Sequence, residues 1–337
     1  MPTALVTGSA GFIGYHICQR LLTEGWQVAG IDALTDYYDV ALKKRRHEML
    51  SQHADFVPLL GRLEDDGLLA SIFAERRPDL VVHLAAQAGV RHSIDAPHSY
   101  MQSNLVGTLN LLEAVRATPA QHVLMASTSS VYGANTRMPY REIDKTDSQM
   151  SFYAATKKAN EAMAHSYAHL YDIPVTMFRF FTVYGPWGRP DMAYFKFTRA
   201  ILNGDPIQVY NHGNMRRDFT YVGDLVEALF RLAGVPPIRP ASAGDIVEGD
   251  SLSAVAPFRI VNIGNAAPVD LMDFIAAIEQ AIGIKAEKIF EDMQPGDVPA
   301  TWADTALLRR LTGYHPSTPV AVGVEKFVAW YKDYYQA

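Results

Sequence analysis

The stretch "VTGSAGFIG" (residues 6–14) carries three glycines, Gly8, Gly11 and Gly14, in a GxxGxxG pattern. It overlaps the end of an apolar run, "TALVT" (3–7), and opens an amphipathic stretch. Glycines let a backbone turn tightly and approach a pyrophosphate closely, and the free N–H groups of a helix N-terminus attract that anion. The stretch therefore predicts a strand, a turn and a helix that bind a dinucleotide. A glycine-rich turn without a ligand is the alternative interpretation.

Short apolar runs alternate with amphipathic stretches through the first half of the chain. The predicted strands are 3–7, 27–32, 55–59, 80–85, 122–127 and 174–180. The predicted helices are 12–24, 39–52, 65–76, 98–117 and 152–171. This alternation is typical of right-handed βαβ units, and the fold class that it predicts is α/β, with a Rossmann-type doubly wound parallel sheet.

The pattern changes from about residue 186, where proline and glycine become frequent. We expect residues 1–185 to form a dinucleotide-binding Rossmann domain that includes the helix at 152–171. Residues 186–337 are predicted to form mainly a smaller substrate-binding lobe, with some segments that return to the Rossmann domain. Residues 234–258 show little periodicity and are predicted to be a surface loop or insertion. Strand and helix signals return at 258–263, 269–282 and 321–335.

Bulk composition disfavours several classes of function. The chain of 337 residues carries a formal net charge of −6, which argues against nucleic acid as a partner. Its single cysteine, Cys18, cannot form an internal disulfide, and no HxH or HExxH spacing suggests a metal site. The first residues lack the pattern of a signal peptide, and no apolar run reaches the roughly 18 residues of a membrane span. We therefore expect a cytoplasmic protein with neither a metal nor a membrane partner.

An acidic residue, Asp32, ends the run "QVAGID" (27–32), 18 residues after Gly14. A carboxylate at that place binds both hydroxyls of an adenosine ribose and repels a 2′-phosphate. The predicted cofactor is therefore NAD rather than NADP.

The stretch "SFYAATKKANEAM" (151–163) places Tyr153 and Lys157 one helical turn apart. A free tyrosine, with a pKa near ~10, is a poor base at neutral pH, and a neighbouring cation favours its phenolate form. The segment "ASTSSVYG" (126–133) adds hydroxyls from residue 127 to residue 130 at the carboxyl end of a strand, where open α/β sheets bind ligands. Together these features predict an acid–base site beside the cofactor. The alternative is a Ser/Thr-rich turn and a surface tyrosine–lysine pair.

Several motifs resemble those of the extended short-chain dehydrogenase/reductases, and the resemblance covers nearly the whole chain. They are TGxxGxxG, "HLAAQAG" (83–89), "SNLVGTLNLLEA" (103–114), "SSVYG", YxxxK, "RFFTVYGP" (179–186) and "RRDFTYVGDLVEA" (216–228). Three further stretches look closer to the UDP-glucuronate 4-epimerases within this family. They are "DYYDVALK" (36–43), "FFTVYGPWGRPDMAYFKFTRAI" (180–201) and "MQPGDVPATWAD" (293–304).

The resemblance implies a role for individual positions. Tyr153 would be the catalytic base, Lys157 its partner and Thr128 the catalytic hydroxyl. The residues expected to bind NAD are Gly8, Gly11, Phe12, Ile13, Gly14, Asp32, Leu84, Ala85, Ala86, Asn104, Tyr153 and Lys157. The residues expected to bind a UDP-sugar are Thr128, Ser129, Ser130, Thr182, Arg189, Arg217 and Asp297.

Two arginines, at positions 62 and 189, need separate comment. The family usually has an aspartate that touches adenine where this chain has Arg62, which could instead stack on the ring. Arg189 would either recognise a substrate carboxylate or anchor its own loop.

The implied activity is the NAD-dependent C4 epimerisation of UDP-glucuronate to UDP-galacturonate through a 4-keto sugar. Tyr153 takes the C4 hydroxyl proton, C4 gives a hydride to NAD⁺, and the hydride returns to the opposite face after the sugar turns over. The 4-keto uronate is a β-keto acid, and hydroxyl donors in the turn after residue 127 would hold its carboxylate against loss of CO₂. Ser129 and Ser130 stand where sister dehydratases and decarboxylases need acidic residues. A UDP-hexose 4-epimerase, a UDP-glucuronate decarboxylase and a non-catalytic nucleotide-sensing protein remain the alternatives.

Three other features receive structural interpretations. The charge run "KKRRHE" (43–48) is predicted to be a solvated helix face, although Lys43 could reach a phosphate. His83 is expected to pack or to form a hydrogen bond rather than to bind a metal. Leucines at 105–112 and small residues at 155–163 form apolar stripes, which in this family commonly build a four-helix homodimer interface; the alternative is the domain core.

Overall fold

The computed structural model describes residues 1–294 and 297–337, and a seven-stranded parallel sheet lies at its centre. The strands of the described residues are β1 Thr3–Thr7, β2 Gln27–Asp32, β3 Phe56–Leu60, β4 Leu80–His83, β5 His122–Ala126, β6 Val175–Phe180, β7 Thr182–Tyr184, β8 Ile207–Tyr210, β9 Arg216–Tyr221, β10 Phe258–Ile263, β11 Pro268–Asp270, β12 Lys288–Glu291 and β13 Ala300–Thr301. The order across the large sheet is β10-β6-β5-β4-β1-β2-β3. The predicted doubly wound parallel sheet is therefore confirmed.

Helices connect these strands and cover both faces of the sheet. They are α1 Phe12–Thr23, α2 Val40–Leu50, α3 Leu68–Arg76, α4 His92–Asp95, α5 Pro97–Tyr100, α6 Gly107–Ala117, α7 Phe152–Tyr171, α8 Ala193–Asn203, α9 Val222–Ala233, α10 Leu271–Ile282, α11 Ala306–Thr312 and α12 Val320–Tyr335. The helix α7 begins at the residue that the sequence predicts because the Ser151 side chain caps it, accepting from the Ala154 N–H at 3.1 Å.

Alternation along the central strand builds a core on each side of the sheet. In β1, Val6 points into a cluster that α1 and α9 cover, whereas Leu5 points into a second cluster that α3, α6 and α7 cover. Both side chains are fully buried. Strands that are covered on both faces have few polar positions, which explains why their sequences are apolar without a clear period of two.

The direction of chain progression across the sheet reverses between β1 and β4. From β1 the chain proceeds outward through β2 to β3, and from β4 it proceeds the opposite way through β5 to β6. The segments that follow β1 and β4 therefore diverge, and they leave a crevice at the carboxyl edge of the sheet. Ligands of open α/β sheets bind in this crevice.

The later part of the chain builds smaller sheets around a third, aromatic core. The strand β9 pairs with β7, β11 and β13, and β8 pairs with β12. The rings of Phe219 and Phe274 stack 3.8 Å apart in this core. The strand β10 instead pairs with β6 at the edge of the large sheet. The proposed boundary at residue 185 stays a prediction.

The segment predicted as one helix at 98–117 is the main error in the sequence assignment. The structure divides it into α5, a π-helical turn at Met101–Val106 and α6. The wider π turn contains Asn104, which is completely buried and donates to the Thr156 hydroxyl on α7 at 3.0 Å. Side-chain periodicity does not distinguish such a turn from an α-helix, and π turns are frequent at functional sites.

None of the helices in residues 1–294 and 297–337 has the length and apolar character that crossing a membrane requires.

The close packing at Gly14 gives a test of the fold. A Cβ at this position would lie 2.0 Å from the Gly8 carbonyl oxygen, and this backbone atom has little freedom to move away. We expect Gly14→Ala to lower the free energy of unfolding by about 1–3 kcal/mol through overpacking. Gly234→Ala is the matched control because its nearest contact, the Arg231 carbonyl, would be 3.5 Å away. Denaturant unfolding measures both variants, and equal stability would contradict the close packing.

Candidate active site

A cavity opens at the carboxyl edge of the sheet, in the crevice between β1 and β4. Most of the residues predicted to bind the cofactor line it. They are Gly8, Gly11, Phe12, Ile13, Gly14, Asp32, Leu84, Ala85, Ala86, Tyr153 and Lys157. Residues 61–64 after β3 and Arg189 complete much of the wall.

The glycine-rich loop forms one wall of the cavity and leaves no space for side chains. Gly8 has a φ of +73°, which favours glycine, and a Cβ there would lie 2.9 Å from the Ala85 nitrogen. A Cβ at Gly11 would lie 2.9 Å from the Gly8 carbonyl oxygen. No side chain caps the N-terminus of α1, so its first N–H groups remain available to an anion. The loop fits the pyrophosphate of a dinucleotide.

Asp32 lies at the end of β2 with its carboxylate fixed by two backbone donors. The Ala10 N–H donates to one oxygen at 3.0 Å, and the Leu34 N–H donates to the other at 2.8 Å. Each carboxylate oxygen accepts more than one hydrogen bond, so both oxygens keep capacity for ribose hydroxyls. This geometry fits the ribose of NAD.

Arg62 also lines the cavity, close to Asp32 in the sheet but on the segment after β3. Its backbone N–H donates to Asp65 at 2.8 Å, and its guanidinium lies 3.4 Å from Glu64. The side chain is 57% exposed, so it is free to change its orientation. A stacked position on an adenine ring stays a prediction.

Asn104 does not line the cavity but holds a segment that does. Its side chain accepts from the Gln87 N–H at 2.7 Å and donates to the Gln87 carbonyl at 3.1 Å. Gln87 belongs to the segment after β4 that faces the cavity. The structure therefore places Asn104 behind the wall, where it fixes the backbone of that segment.

Tyr153 lies in the wall of the cavity and is 8% exposed. Burial raises the pKa of its phenol, while a hydrogen bond with Thr128 and the positive charge of Arg189 oppose that change. The sequence led us to expect that Lys157 would lower this pKa, and the structure differs. The Lys157 ammonium donates instead to the Ala126 carbonyl, at 2.8 Å. The chain's own groups therefore leave Tyr153 protonated at neutral pH.

Lys157 lines the cavity but is almost fully buried, and this burial lowers its tendency to carry a charge. Burial lowers the pKa of Lys157 to about 8, and the negative charge of Glu161 one turn further along α7 opposes the change. His83 at the end of β4 is neutral because burial holds its pKa near 3. Its ring bonds the hydroxyls of Thr7 and Thr108, at 2.8 and 3.1 Å, so His83 has a structural role.

The hydroxyl-rich turn after β5 is a short 3₁₀ helix that Thr128 caps. The Thr128 hydroxyl accepts from the Ser130 N–H at 3.2 Å and lies 3.3 Å from the Ser130 hydroxyl. Ser129 and Ser130 are partly exposed, whereas Ser127 is fully buried and donates to Glu161 at 2.7 Å. Ser129 and Ser130 are therefore the accessible residues of this turn, whereas Ser127 and Thr128 are buried.

Of the two interpretations of Arg189, the structure shows the anchoring of its own loop, and recognition of a substrate carboxylate stays a prediction. Its guanidinium lines the cavity and forms a forked ion pair with Asp191, at 3.1 and 2.6 Å. The Tyr37 hydroxyl donates to the same carboxylate at 3.3 Å. Asp191 uses Nε and one terminal nitrogen of the guanidinium, and Nη1 has no hydrogen-bond partner among the described residues. Arg189 thus anchors its loop and still carries a donor for a ligand.

Of the residues predicted to bind the UDP-sugar, Arg189 lies in the wall of this cavity, and the others lie outside it. Thr182 begins β7 and is partly exposed. Arg217 on β9 donates to the Val298 carbonyl at 2.6 Å, and Asp297 pairs with Arg91 at 2.9 Å. Burial lowers the pKa of Arg217, and Asp297 opposes this change, so the two charges lie near each other. Pro295 and Gly296, within the stretch "MQPGDVPATWAD", lie outside the described residues.

The sequence analysis missed the inner face of α2. The run "KKRRHE" (43–48) is only partly solvated, because Lys43, Arg46 and His47 are buried. The Arg46 guanidinium donates to the Ala10 carbonyl at 2.9 Å and to the Trp187 carbonyl at 2.6 Å, and it is fully buried. It therefore ties the glycine-rich loop to the loop that precedes Arg189. The available signal was the spacing, since residues three and four apart share one helix face.

His47 and Lys43 extend the same contact. His47 bonds the Ser9 hydroxyl at 3.0 Å, also in the glycine-rich loop. Lys43 lines the cavity and donates to the Thr35 carbonyl at 2.5 Å and to its hydroxyl at 3.0 Å. The described residues contain no group of three or more His, Cys, Asp or Glu side chains arranged to hold a metal ion.

Comparisons with known proteins agree with this geometry. A probable UDP-glucuronate 4-epimerase from Rhizobium meliloti (strain 1021) is 51% identical over 332 residues, which cover 98% of this chain and 97% of the relative. The crystal structure of UDP-glucuronic acid 4-epimerase from Bacillus cereus in complex with UDP-glucuronic acid and NAD has a TM-score of 0.86 at 30% identity, covering 99% of this chain and 100% of that one. UDP-glucose 4-epimerase from Thermotoga maritima with UDP-glucose has a TM-score of 0.84 at 25% identity, with 99% of each chain covered.

A family model gives the same result from the sequence. The model of the NAD dependent epimerase/dehydratase family matches residues 4–237, which include the glycine-rich loop, Tyr153 and Lys157. The chain belongs to the NAD-dependent epimerase/dehydratase family.

Proposed function

We propose that this protein is an isomerase that interconverts UDP-glucuronate and UDP-galacturonate by NAD-dependent epimerisation at C4. One observation carries the proposal: Tyr153, Lys157 and the glycine-rich loop line a single cavity. The relative at 51% identity that is named a probable UDP-glucuronate 4-epimerase, and the Bacillus cereus structure that holds UDP-glucuronic acid and NAD, support the choice of substrate.

The residues present fit NAD. Gly8, Gly11 and the free N–H groups of α1 receive its pyrophosphate, and Asp32 receives the adenosine ribose. When bound, NAD accepts the hydride from C4 of the sugar and returns it, so that no net oxidation occurs.

Tyr153 is the proposed base, and the hydroxyl of Thr128 orients it. A phenol that burial keeps protonated needs added positive charge before it can give up its proton at neutral pH. The oxidised nicotinamide ring would supply that charge. Lys157 also keeps a donor site toward the nicotinamide ribose, since one of its three N–H groups is committed to the Ala126 carbonyl.

The substrate carboxylate is the feature that separates this reaction from epimerisation of a neutral sugar. Once C4 is a ketone, the uronate is a β-keto acid, and CO₂ leaves when the C5–C6 bond aligns with the carbonyl. Ser129, Ser130 and Thr182 are neutral donors that would hold the carboxylate out of that alignment. Arg189 adds a charged donor from the cavity side, while its pair with Asp191 keeps it in place.

Residues in the later part of the chain are proposed to bind the nucleotide end of the substrate. Arg217 is the proposed ligand of the diphosphate, and Asp297 is the proposed ligand of the uridine ribose. Their mutual charge interaction supports a shared site. The contact between Asp297 and Arg91 brings the segment after β4 to the same place.

The competing functions lack a comparable feature. A UDP-hexose 4-epimerase has no use for a cluster of carboxylate donors, although the Thermotoga maritima structure shares the fold. A decarboxylase would be expected to carry an acidic residue where this chain has Ser129 or Ser130. A non-catalytic nucleotide sensor would not need Tyr153 or Lys157, and both are present.

We also propose a homodimer in the cytoplasm. Apolar side chains remain exposed on the π turn, α6 and α7, with Met101, Leu109 and Phe152 at 41%, 42% and 38% exposure. A second copy of this surface would cover them. Cys18 is a free thiol that is completely buried, and burial raises its pKa, so it is unreactive and gives no evidence of an oxidising compartment.

The substrate assignment predicts one product. Purified protein incubated with UDP-glucuronate and NAD should form UDP-galacturonate, resolved by chromatography and NMR, with CO₂ as a minor product. Tyr153→Phe should lower turnover by about 10²–10⁴-fold, because the general base is removed, while calorimetry still detects NAD binding.

Tyr167→Phe is the matched control for this experiment. Tyr167 lies on the same helix, but its hydroxyl donates to Glu113, away from the cavity. Equal turnover of UDP-glucose would overturn the uronate assignment, and CO₂ as the main product would favour a decarboxylase. Near-normal activity of Tyr153→Phe would remove Tyr153 from its role.

The geometry of Asp32 predicts cofactor preference. Asp32→Asn should weaken NAD binding by about tenfold or more, since a hydrogen bond to a charged group contributes about 1.5–3 kcal/mol. The ratio of NAD to NADP affinity should fall, because repulsion of the 2′-phosphate is also lost. Calorimetric titration of both cofactors measures this ratio. Asp39→Asn is the control, because Asp39 caps α2 outside the cavity and asparagine caps equally well.

The exposed apolar surface predicts the oligomeric state. The protein should sediment as a dimer, and Leu109→Glu should shift it toward the monomer, because a buried unpaired charge is unfavourable in an interface. Ile238→Glu, at a position 78% exposed and far along the chain from these helices, should leave the dimer intact. A monomeric wild-type protein would contradict the proposal.

A further inference from the structure

Glu161 is a buried carboxylate beneath the proposed active site, and its contacts are not explained by the catalytic roles above. It is 2% exposed and lies one turn after Lys157 and two turns after Tyr153 on α7. Three kinds of donor reach it: the Ser127 hydroxyl at 2.7 Å, the Arg179 guanidinium through Nε and Nη2 at 2.8 Å each, and the Lys158 ammonium at 3.3 Å.

These contacts join three segments that carry the proposed catalytic groups. The helix α7 carries Tyr153 and Lys157. Ser127 directly precedes Thr128 in the hydroxyl-rich turn. Arg179 lies in β6, immediately before Phe180, which lines the cavity, and three residues before Thr182. A single carboxylate therefore connects the proposed base, the turn and the strand β6, which ends two residues before Thr182.

The connection is rigid because its members are buried and fully bonded. Arg179 is 1% exposed, its guanidinium lies 4.7 Å from the centre of the Tyr132 ring, and its Nη1 donates to the Glu142 carbonyl at 3.4 Å. Tyr132 in turn donates to Asn262 on β10 at 2.7 Å. Burial raises the pKa of Glu161, but the hydrogen bonds and charge of Arg179 outweigh it, and the carboxyl group stays ionised.

We propose that Glu161 is a positioning residue: through Ser127 it fixes the turn that would hold the substrate carboxylate, and from the next turn of α7 it places a negative charge beside Lys157. This inference rests on the proposed function. It adds a residue that determines whether the 4-keto intermediate takes back its hydride or loses CO₂. Glu161 itself touches neither substrate nor cofactor.

The turn matters because the 4-keto uronate has two possible outcomes. Return of the hydride to C4 completes epimerisation. In the other outcome the C5–C6 bond breaks, its electron pair forms the C4–C5 enolate, CO₂ leaves and a proton adds at C5. The product is a 4-keto pentose, and each one that leaves before the hydride returns leaves one NAD reduced to NADH. A displaced turn releases the carboxylate into this second outcome.

Ser127→Ala tests whether Glu161 positions the turn through Ser127, and it leaves the charge of the protein unchanged. We expect kcat to fall by about tenfold or more, because misplacement of reacting groups by about 1 Å costs up to 10²-fold. We also expect the ratio of CO₂ to UDP-galacturonate to rise severalfold. Carbon dioxide released from the labelled C6 carboxylate and NADH absorbance measure the second outcome, and thermal unfolding checks that the fold persists.

Glu161→Gln tests the effect of the Glu161 charge on Lys157 through the pH dependence of kcat. The titratable groups that face Lys157 are Tyr153 and Glu161 on its own helix and the neutral His83 on β4. Because Glu161 raises the pKa of Lys157, its loss lowers that pKa, and the unpaired Arg179 charge acts in the same direction. The basic limb of the profile should therefore move to lower pH, whereas Ser127→Ala should leave that limb in place.

Lys158→Met is the matched control, because Lys158 contacts the same carboxylate but not the turn, and its side chain is 34% exposed. It should keep the wild-type kcat, CO₂ ratio and pH profile. If Glu161→Gln does not fold, because its loss leaves a buried arginine unpaired, Ser127→Ala still decides the inference.

The possible failures are distinguishable. Absence of UDP-galacturonate from the wild-type reaction overturns the proposed function itself. A wild-type protein that epimerises, together with a Ser127→Ala variant of unchanged kcat and CO₂ ratio, overturns only the role of Glu161. Two further results would also overturn only the role of Glu161. One is a folded Glu161→Gln variant whose basic limb does not shift, and the other is a Lys158→Met variant that changes as Ser127→Ala does.

Discussion

A parallel sheet brings the carboxyl end of every strand to the same edge, and the site depends on this constraint. The glycine-rich loop, Asp32, the segment after β4 and the hydroxyl-rich turn lie far apart in the sequence, yet each directly follows a strand of the large sheet or ends one. Reversal of strand order between β1 and β4 then leaves the crevice into which they face. The proposed catalytic pair, Tyr153 and Lys157, comes instead from the helix α7.

Charged side chains in the interior have specific protein partners. The enclosed Lys157 donates to a backbone carbonyl, and Arg179 is neutralised by Glu161. Among the described residues Arg46 has no carboxylate partner; its two terminal nitrogens donate to the carbonyls of Ala10, Trp187 and Gly188, while its Nε has no hydrogen-bond partner there. Each arrangement fixes backbone segments on which the site depends. Buried charges of this kind are costly to break, which makes them effective at holding loops in one position.

Sequence reasoning recovered the elements whose local signals agree with the fold. The strand at 27–32 and the helix at 152–171 have the predicted bounds, because apolar runs and a serine cap define them. The π turn around Asn104 was missed, because one extra residue per turn leaves little mark on the pattern. The inner face of α2 was missed because buried arginine is rare, and only tertiary contacts show that Arg46 points inward. The same limit applies to Glu161, whose partners lie 18 and 34 residues away.

The raised pKa of Tyr153 changes how the tyrosine–lysine pair should be understood. If Lys157 alone made the phenol acidic, the base would be ready whether or not the cavity was filled. In the structure, burial has the largest effect on the pKa of Tyr153 and raises it, while Thr128 and Arg189 oppose this change. The Lys157 ammonium is bonded to the Ala126 carbonyl instead. Ionisation of the phenol therefore requires further positive charge within the cavity. An oxidised nicotinamide carries such a charge and a reduced one does not, so proton removal is favoured only in the redox state that can also accept the hydride.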